Sequence, residues 1–75
     1  MIIEYTRVKI ARIDGDVEAR IISSSYDPPN PPTVGEEGIV VHELEGGDYV
    51  VEKVEPNGYS TWIAWFRESE LTPLD

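Results

Sequence analysis

Seventy-five residues with 15 Asp and Glu against 6 Lys and Arg, no cysteine and one histidine already narrow the answer. The length allows one small domain with a thin core, since a chain this size buries only roughly 60% of its unfolded surface. Disulfides are excluded, a lone His leaves little for a zinc site, and no run of about 18 apolar residues is present to span a bilayer.

Taken in chain order, the signals are those of strands. Residues 5–13 are rich in β-branched side chains and roughly alternate charged with apolar. Asp14-Gly15 follows, a strong two-residue signal for a tight hairpin turn because both central positions need positive φ. Residues 16–23 alternate again, so 5–13 and 16–23 are expected to form a hairpin, with Lys9 and Arg12 facing Glu18. Glu, Ala and Arg make helix the rival for 16–23, but the run is short and lacks a helical apolar face. Segment 23–32, with four prolines between Pro28 and Pro32, predicts an extended polyproline-type loop. Strands are expected over 39–44, 49–55 and 59–66, separated by turns at Glu45-Gly46-Gly47-Asp48 and Pro56-Asn57-Gly58. Residues 67–71 suit one 3₁₀ turn, and Thr72 to Asp75 a short edge segment, because Pro73 offers no ladder donor.

Short strands, tight turns and no helix of any length predict an all-β domain over residues 1–75, a small SH3-like barrel of five to six antiparallel strands. The five-stranded OB barrel is the competitor; it usually carries a helix between its third and fourth strands, and Glu45 to Asp48 leaves no room for one. The motif order supports the choice. A long first loop leads to Val34-Gly35-Glu36-Glu37-Gly38-Ile39-Val40-Val41, then Tyr49-Val50-Val51-Glu52, Asn57-Gly58, and finally Phe66-Arg67-Glu68-Ser69-Glu70-Leu71-Thr72-Pro73-Leu74. Across residues 33–75 this resembles small bacterial and cyanobacterial SH3-like barrel proteins. Among them are a family with a Gly-x-x-Gly-x-Val-Val strand and a Glu-Leu-x-Pro end, the PsaE-type photosystem subunit, and the ferredoxin-docking subunit of the photosynthetic NADH dehydrogenase-like complex. Two departures stand out. Lys53 occupies a place such families give to an apolar or aromatic residue, and the basic surface of ferredoxin-docking members has no counterpart after Arg20.

Charge is unevenly placed. Residues 1–20 hold four acids and four bases, whereas 21–75 hold eleven acids and only Lys53 and Arg67, so the net −9 falls entirely on the later segment. Nucleic-acid binders and anionic-membrane binders need clustered Lys and Arg, and that surface is missing. A partner for such a surface is a protein with a basic face. The start Met1-Ile2-Ile3-Glu4 lacks a basic-then-apolar signal pattern, which predicts a cytoplasmic protein.

Chemistry is poorly represented. His42 lies in a predicted strand on the face of Val40 and Leu44, as a structural or surface residue. Glu43, Glu45 and Asp48 do not follow the spacing of a calcium loop. No catalytic, cofactor-binding or metal-binding residue is assigned, and no enzyme activity is expected. Binding is the better reading. Pro28 to Pro31 and Pro29 to Pro32 are overlapping Pro-x-x-Pro frames, flanked by Asp27, Glu36 and Glu37. On the last long strand Trp62, Ala64 and Phe66 share one face and Thr61, Ile63 and Trp65 the other, so one Trp is expected to be half exposed. Tyr26, Pro28, Pro29, Pro31, Pro32, Glu36, Glu37, Tyr59, Trp62 and Trp65 are therefore the candidate contact residues for a cationic partner. Two non-catalytic roles fit: a small accessory or regulatory interaction module, or an acidic inhibitor (immunity or anti-defence type) masking a basic nucleic-acid-binding or catalytic surface.

Overall fold

A computed structural model describes residues 2–74; Met1 and Asp75, at the two ends of the sequence, lie outside it. Six strands form one antiparallel sheet: β1 (Arg7–Ile10), β2 (Ile21–Ser23), β3 (Glu37–Glu43), β4 (Asp48–Val54), β5 (Ser60–Arg67) and β6 (Leu71–Pro73). Their order across the sheet is β2-β5-β4-β3-β1-β6. Two 3₁₀ turns, Glu18–Arg20 and Glu68–Glu70, immediately precede the edge strands β2 and β6. The radius of gyration, 11.2 Å, matches the roughly 11 Å of a folded chain this long. Among the described residues no helix is long and apolar enough to cross a membrane.

The β3-β4-β5 meander follows the alternation in the sequence. Gly46 and Gly47 take positive φ in the first turn and Gly58 in the second, as their turn positions require. Trp62, Ala64 and Phe66 point inward with no exposed surface, against Tyr49 and Val51 of β4, Val40 of β3 and Val8 and Ile10 of β1. Trp62 and Phe66 meet edge to face with centroids 5.9 Å apart, a contact worth about 0.5–1.5 kcal/mol beyond its buried area. Gly38 lets β4 come close: a Cβ there would stand 2.7 Å from Val51 Cγ1 and 2.9 Å from the Glu52 carbonyl oxygen.

The expected hairpin of 5–13 with 16–23 does not form. Both edges of β1 are taken by distant strands, Arg7 opposite Ile39 in β3 and Lys9 opposite Thr72 in β6. Asp14-Gly15 does turn the chain, with Gly15 at φ +91°, but it leads into the 3₁₀ turn at Glu18–Arg20. That segment then splits: its first half coils, as Glu, Ala and Arg favour, and Ile21–Ser23 pairs with β5. Lys9 consequently stands opposite Glu37 instead of Glu18, and Arg12 pairs with Asp14 at 3.2 Å.

What pulls 16–20 inward is Arg20. Its guanidinium and the Glu70 carboxylate are both buried and 2.5 Å apart. Arg20 also donates to the Asp14 carbonyl, while Glu70 accepts from the backbone N–H groups of Asp14 (2.7 Å) and Arg67 (2.9 Å). Because Arg20 immediately precedes β2 and Glu70 immediately precedes β6, this pair ties together the starts of the two edge strands. No ladder joins β2 to β6; the buried charges bridge them.

Candidate interaction surface

The start of the proline-rich loop is held on the first residues of β5 by hydroxyl groups. Ser24 Oγ donates to the Thr61 carbonyl (2.8 Å) and accepts from the Tyr26 N–H (3.0 Å). Ser25 N–H donates to the Ser60 carbonyl, and Ser60 N–H donates back to Ser25 Oγ. Ser24 and Ser25 therefore extend the edge of β5 with side-chain bonds where the regular ladder to β2, ending at Ser23, stops. The Asp27–Pro28 peptide bond beyond it is cis.

This docking delivers Tyr26 to Tyr59. Their rings meet edge to face with centroids 6.2 Å apart, and Tyr59 is 55% exposed. Below them Glu55 accepts hydrogen bonds from Tyr26 Oη (2.9 Å) and Thr61 Oγ1 (2.7 Å). These two donors, Thr61 first, hold the Glu55 carboxyl below its ordinary pKa, while the same carboxylate raises the Tyr26 phenol. The result is an ionised carboxylate bonded to one ring of an aromatic pair whose other ring is accessible, the chemistry that attracts a cation. Asp27, Pro28 and Pro31 are exposed alongside, and Pro29 is half-buried.

The other sequence candidates are divided from this cluster. Trp62 has no exposed surface and Pro32 is likewise buried, so neither is a contact residue: both belong to the interior that supports the loop and the sheet. Trp65 is half-buried as the alternation requires, but its ring already carries a cation, the Arg20 guanidinium 4.6 Å from the centroid. Glu36 is engaged within the fold. It accepts from the Thr33 N–H (2.7 Å) and Oγ1 (3.1 Å) and pairs with Lys53. Burial pushes its carboxyl up, but the Lys53 ammonium and the Thr33 donors outweigh this and hold it below the ordinary value. Lys53, the residue that departs from the resembled families, thus fastens the 33–36 turn to β4. Glu37 is exposed, opposite Lys9, and is separate from the tyrosine cluster.

His42 is exposed, with Nδ1 3.6 Å from Glu4 Oε2. Simple alternation would have set it on the inward face with Val40. The register instead shifts between Val40 opposite Val51 and His42 opposite Val50, a bulge that turns His42 outward. Among the described residues no three His, Cys, Asp or Glu side chains converge as a metal site would require. Glu55, which sequence reasoning did not single out, proves central to the tyrosine cluster. Its spacing from Tyr59 across the Asn57-Gly58 turn was the available signal. Comparison with protein-family models, curated proteins and solved structures finds no match to this chain.

Proposed function

We propose that the chain is a non-catalytic interaction module of SH3-like barrel type, a small accessory or regulatory protein that binds a basic protein surface. Its contact face consists of Tyr26 and Tyr59 with the exposed Pro28 and Pro31 and the half-buried Pro29. The observation that carries this reading is the exposed Tyr59 ring set against Tyr26 over the Glu55 carboxylate, on the acidic segment of the chain. An aromatic pair beside an ionised carboxylate favours Arg or Lys through cation–π and charge attraction together. Titration of ¹⁵N-labelled protein with an arginine-containing peptide tests it. The amides of Tyr26, Asp27 and Asn30 should shift together with those of Glu55 and residues 57–61, and Tyr59→Ala should weaken binding about tenfold. Shifts spread evenly over all acidic positions, with Tyr59→Ala neutral, would remove the tyrosine face.

The net charge of −9 supports a second reading, an acidic inhibitor covering a basic nucleic-acid-binding or catalytic surface. In that case the association rate falls steeply with ionic strength and responds to charge reversal at many positions rather than to Tyr59.

A further inference from the structure

A second surface feature lies at the end of β3 away from Tyr26 and Tyr59. A groove of about 390 Å³ is lined by Ile2, Ile3, Glu4, His42 and Glu43. Its origin lies in the backbone. The segment before β1 pairs with β3 as far as Val40, through Val40 N–H to the Thr6 carbonyl (3.0 Å) and Tyr5 N–H to the Val40 carbonyl (2.5 Å). At Tyr5 the chain adopts φ +68°, a left-handed conformation costing a non-glycine residue about 1–2 kcal/mol, and Thr6 N–H closes a turn onto the Ile3 carbonyl. The N-terminal segment so leaves the edge of β3. Ile2 instead inserts into the core, its N–H donating to Tyr49 Oη at 3.0 Å.

Among the described residues, this leaves a stretch of the β3 edge uncovered. Leu44 and Asp48 form a hydrogen-bonded pair (2.7 Å), so the antiparallel alternation makes Glu43 and Tyr49 the non-bonded pair. The N–H and C=O of Glu43 therefore point away from β4, toward the groove, and no described residue bonds to either. Beside them stand the carboxylates of Glu4 and Glu43, the aliphatic Ile3 at 73% exposure and, next along the chain, Tyr5 at 75%. Among the described residues no Lys or Arg lines the groove.

We infer that this groove takes an extended basic segment of a partner protein, which adds to the edge of β3 at Glu43. The occupant exchanges main-chain hydrogen bonds with Glu43, places a Lys or Arg between Glu4 and Glu43, and rests an apolar side chain on Ile2 and Ile3. Charge selects a foreign occupant over a second copy of this chain, since two copies would bring together molecules each carrying net −9. Strand addition supplies affinity through the backbone, and the acidic rim supplies the preference for basic sequence.

The probe is a short peptide alternating lysine with valine, with a glutamate-for-lysine version as control. On titration the amides of Ile3, Glu4, His42 and Glu43 should shift, and the Glu43 amide should become protected from hydrogen exchange. The surface double variant Glu4→Gln with Glu43→Gln should weaken binding roughly fivefold, as loss of two half-exposed ion pairs implies. N-methylation of the peptide along one edge should abolish the protection. Exchange at Glu43 unchanged by saturating peptide, or equal binding of the glutamate version, would overturn the inference. Shifts confined to Tyr26 and Tyr59 would overturn it while leaving the tyrosine face standing, and shifts confined to the groove would support it independently of that face.

Discussion

Glu70 carries more of this fold than any other polar side chain. It has no exposed surface, it meets Arg20 at 2.5 Å, and it accepts from two backbone N–H groups in separate segments. Replacing it with glutamine strands the Arg20 guanidinium inside the protein, which costs about 3–5 kcal/mol, much of what a small domain has. Glu70→Gln should accordingly show a greatly reduced urea midpoint. Arg20→Met combined with Glu70→Gln should recover part of that loss, because no unpaired charge stays buried. A double variant less stable than Glu70→Gln alone would count against this account. The pH dependence has a definite sign. Burial raises the Glu70 carboxyl, but Arg20 and the N–H donors of Arg67 and Asp14 outweigh it and hold the folded value below the ordinary 4.5. The stabilisation is therefore complete above the unfolded pKa and is lost as pH falls through the folded one. Unfolding free energy should drop from about pH 5 downward in the parent protein and more shallowly in Glu70→Gln. Nothing in the sequence marks these two residues as a buried pair, although Glu70 opens the Glu-Leu-x-Pro end. They lie fifty positions apart and each reads as one surface charge among many, since buried Arg and Glu are rare.

Strands were more legible than their partners. The alternation of 59–66 correctly separates the inward Trp62, Ala64 and Phe66 from the outward Ile63 and half-buried Trp65, because one strand's two faces see different solvents. The 3₁₀ turn before the last strand and the edge position of Pro73 are likewise readable from local chemistry. Pairing is a different matter. Alternation in 5–13 and 16–23 says that each has a core face and is silent on which strand lies alongside. A local Asp-Gly turn was therefore a misleading guide once β3 and β6 took both edges of β1. The same blindness hid the groove beside Glu43, which depends on a left-handed Tyr5 that no residue preference announces. The tyrosine pair was half visible: both tyrosines stood out, while their meeting through the serine bonds did not. Close strand approach gives a test at this scale. Gly38→Ala places a methyl against the Glu52 carbonyl, a backbone atom that has no rotamer to give, so a loss of about 1–3 kcal/mol is expected in denaturant unfolding. An unchanged midpoint would mean that β3 and β4 separate without loss.

Charge acts over the whole molecule. Fifteen acids face six bases, and the favourable contacts are of unequal kind. Arg20–Glu70 is buried and beyond the reach of salt, Lys53–Glu36 is part-buried, and Arg12–Asp14 is exposed and weak. Most remaining carboxylates lie on the surface within one another's field, as Glu4 and Glu43 do across the groove. Unfolding spreads these charges apart, so repulsion is a term that favours the unfolded chain. Added salt shortens the screening length from about 30 Å at 0.01 M to about 8 Å at 0.15 M, which weakens distant repulsion while sparing the buried pair. The thermal midpoint should therefore rise by about 2–5 °C over that range, the shift that a gain of under 1 kcal/mol produces in a domain of this size. A midpoint that falls with salt would show that the exposed pairs outweigh the surplus. Binding should move the other way: a basic peptide on either face loses association rate as salt is added. A protein that grows more stable yet binds more slowly across one salt series is the combined signature of an acidic excess that serves recognition at a cost to the fold.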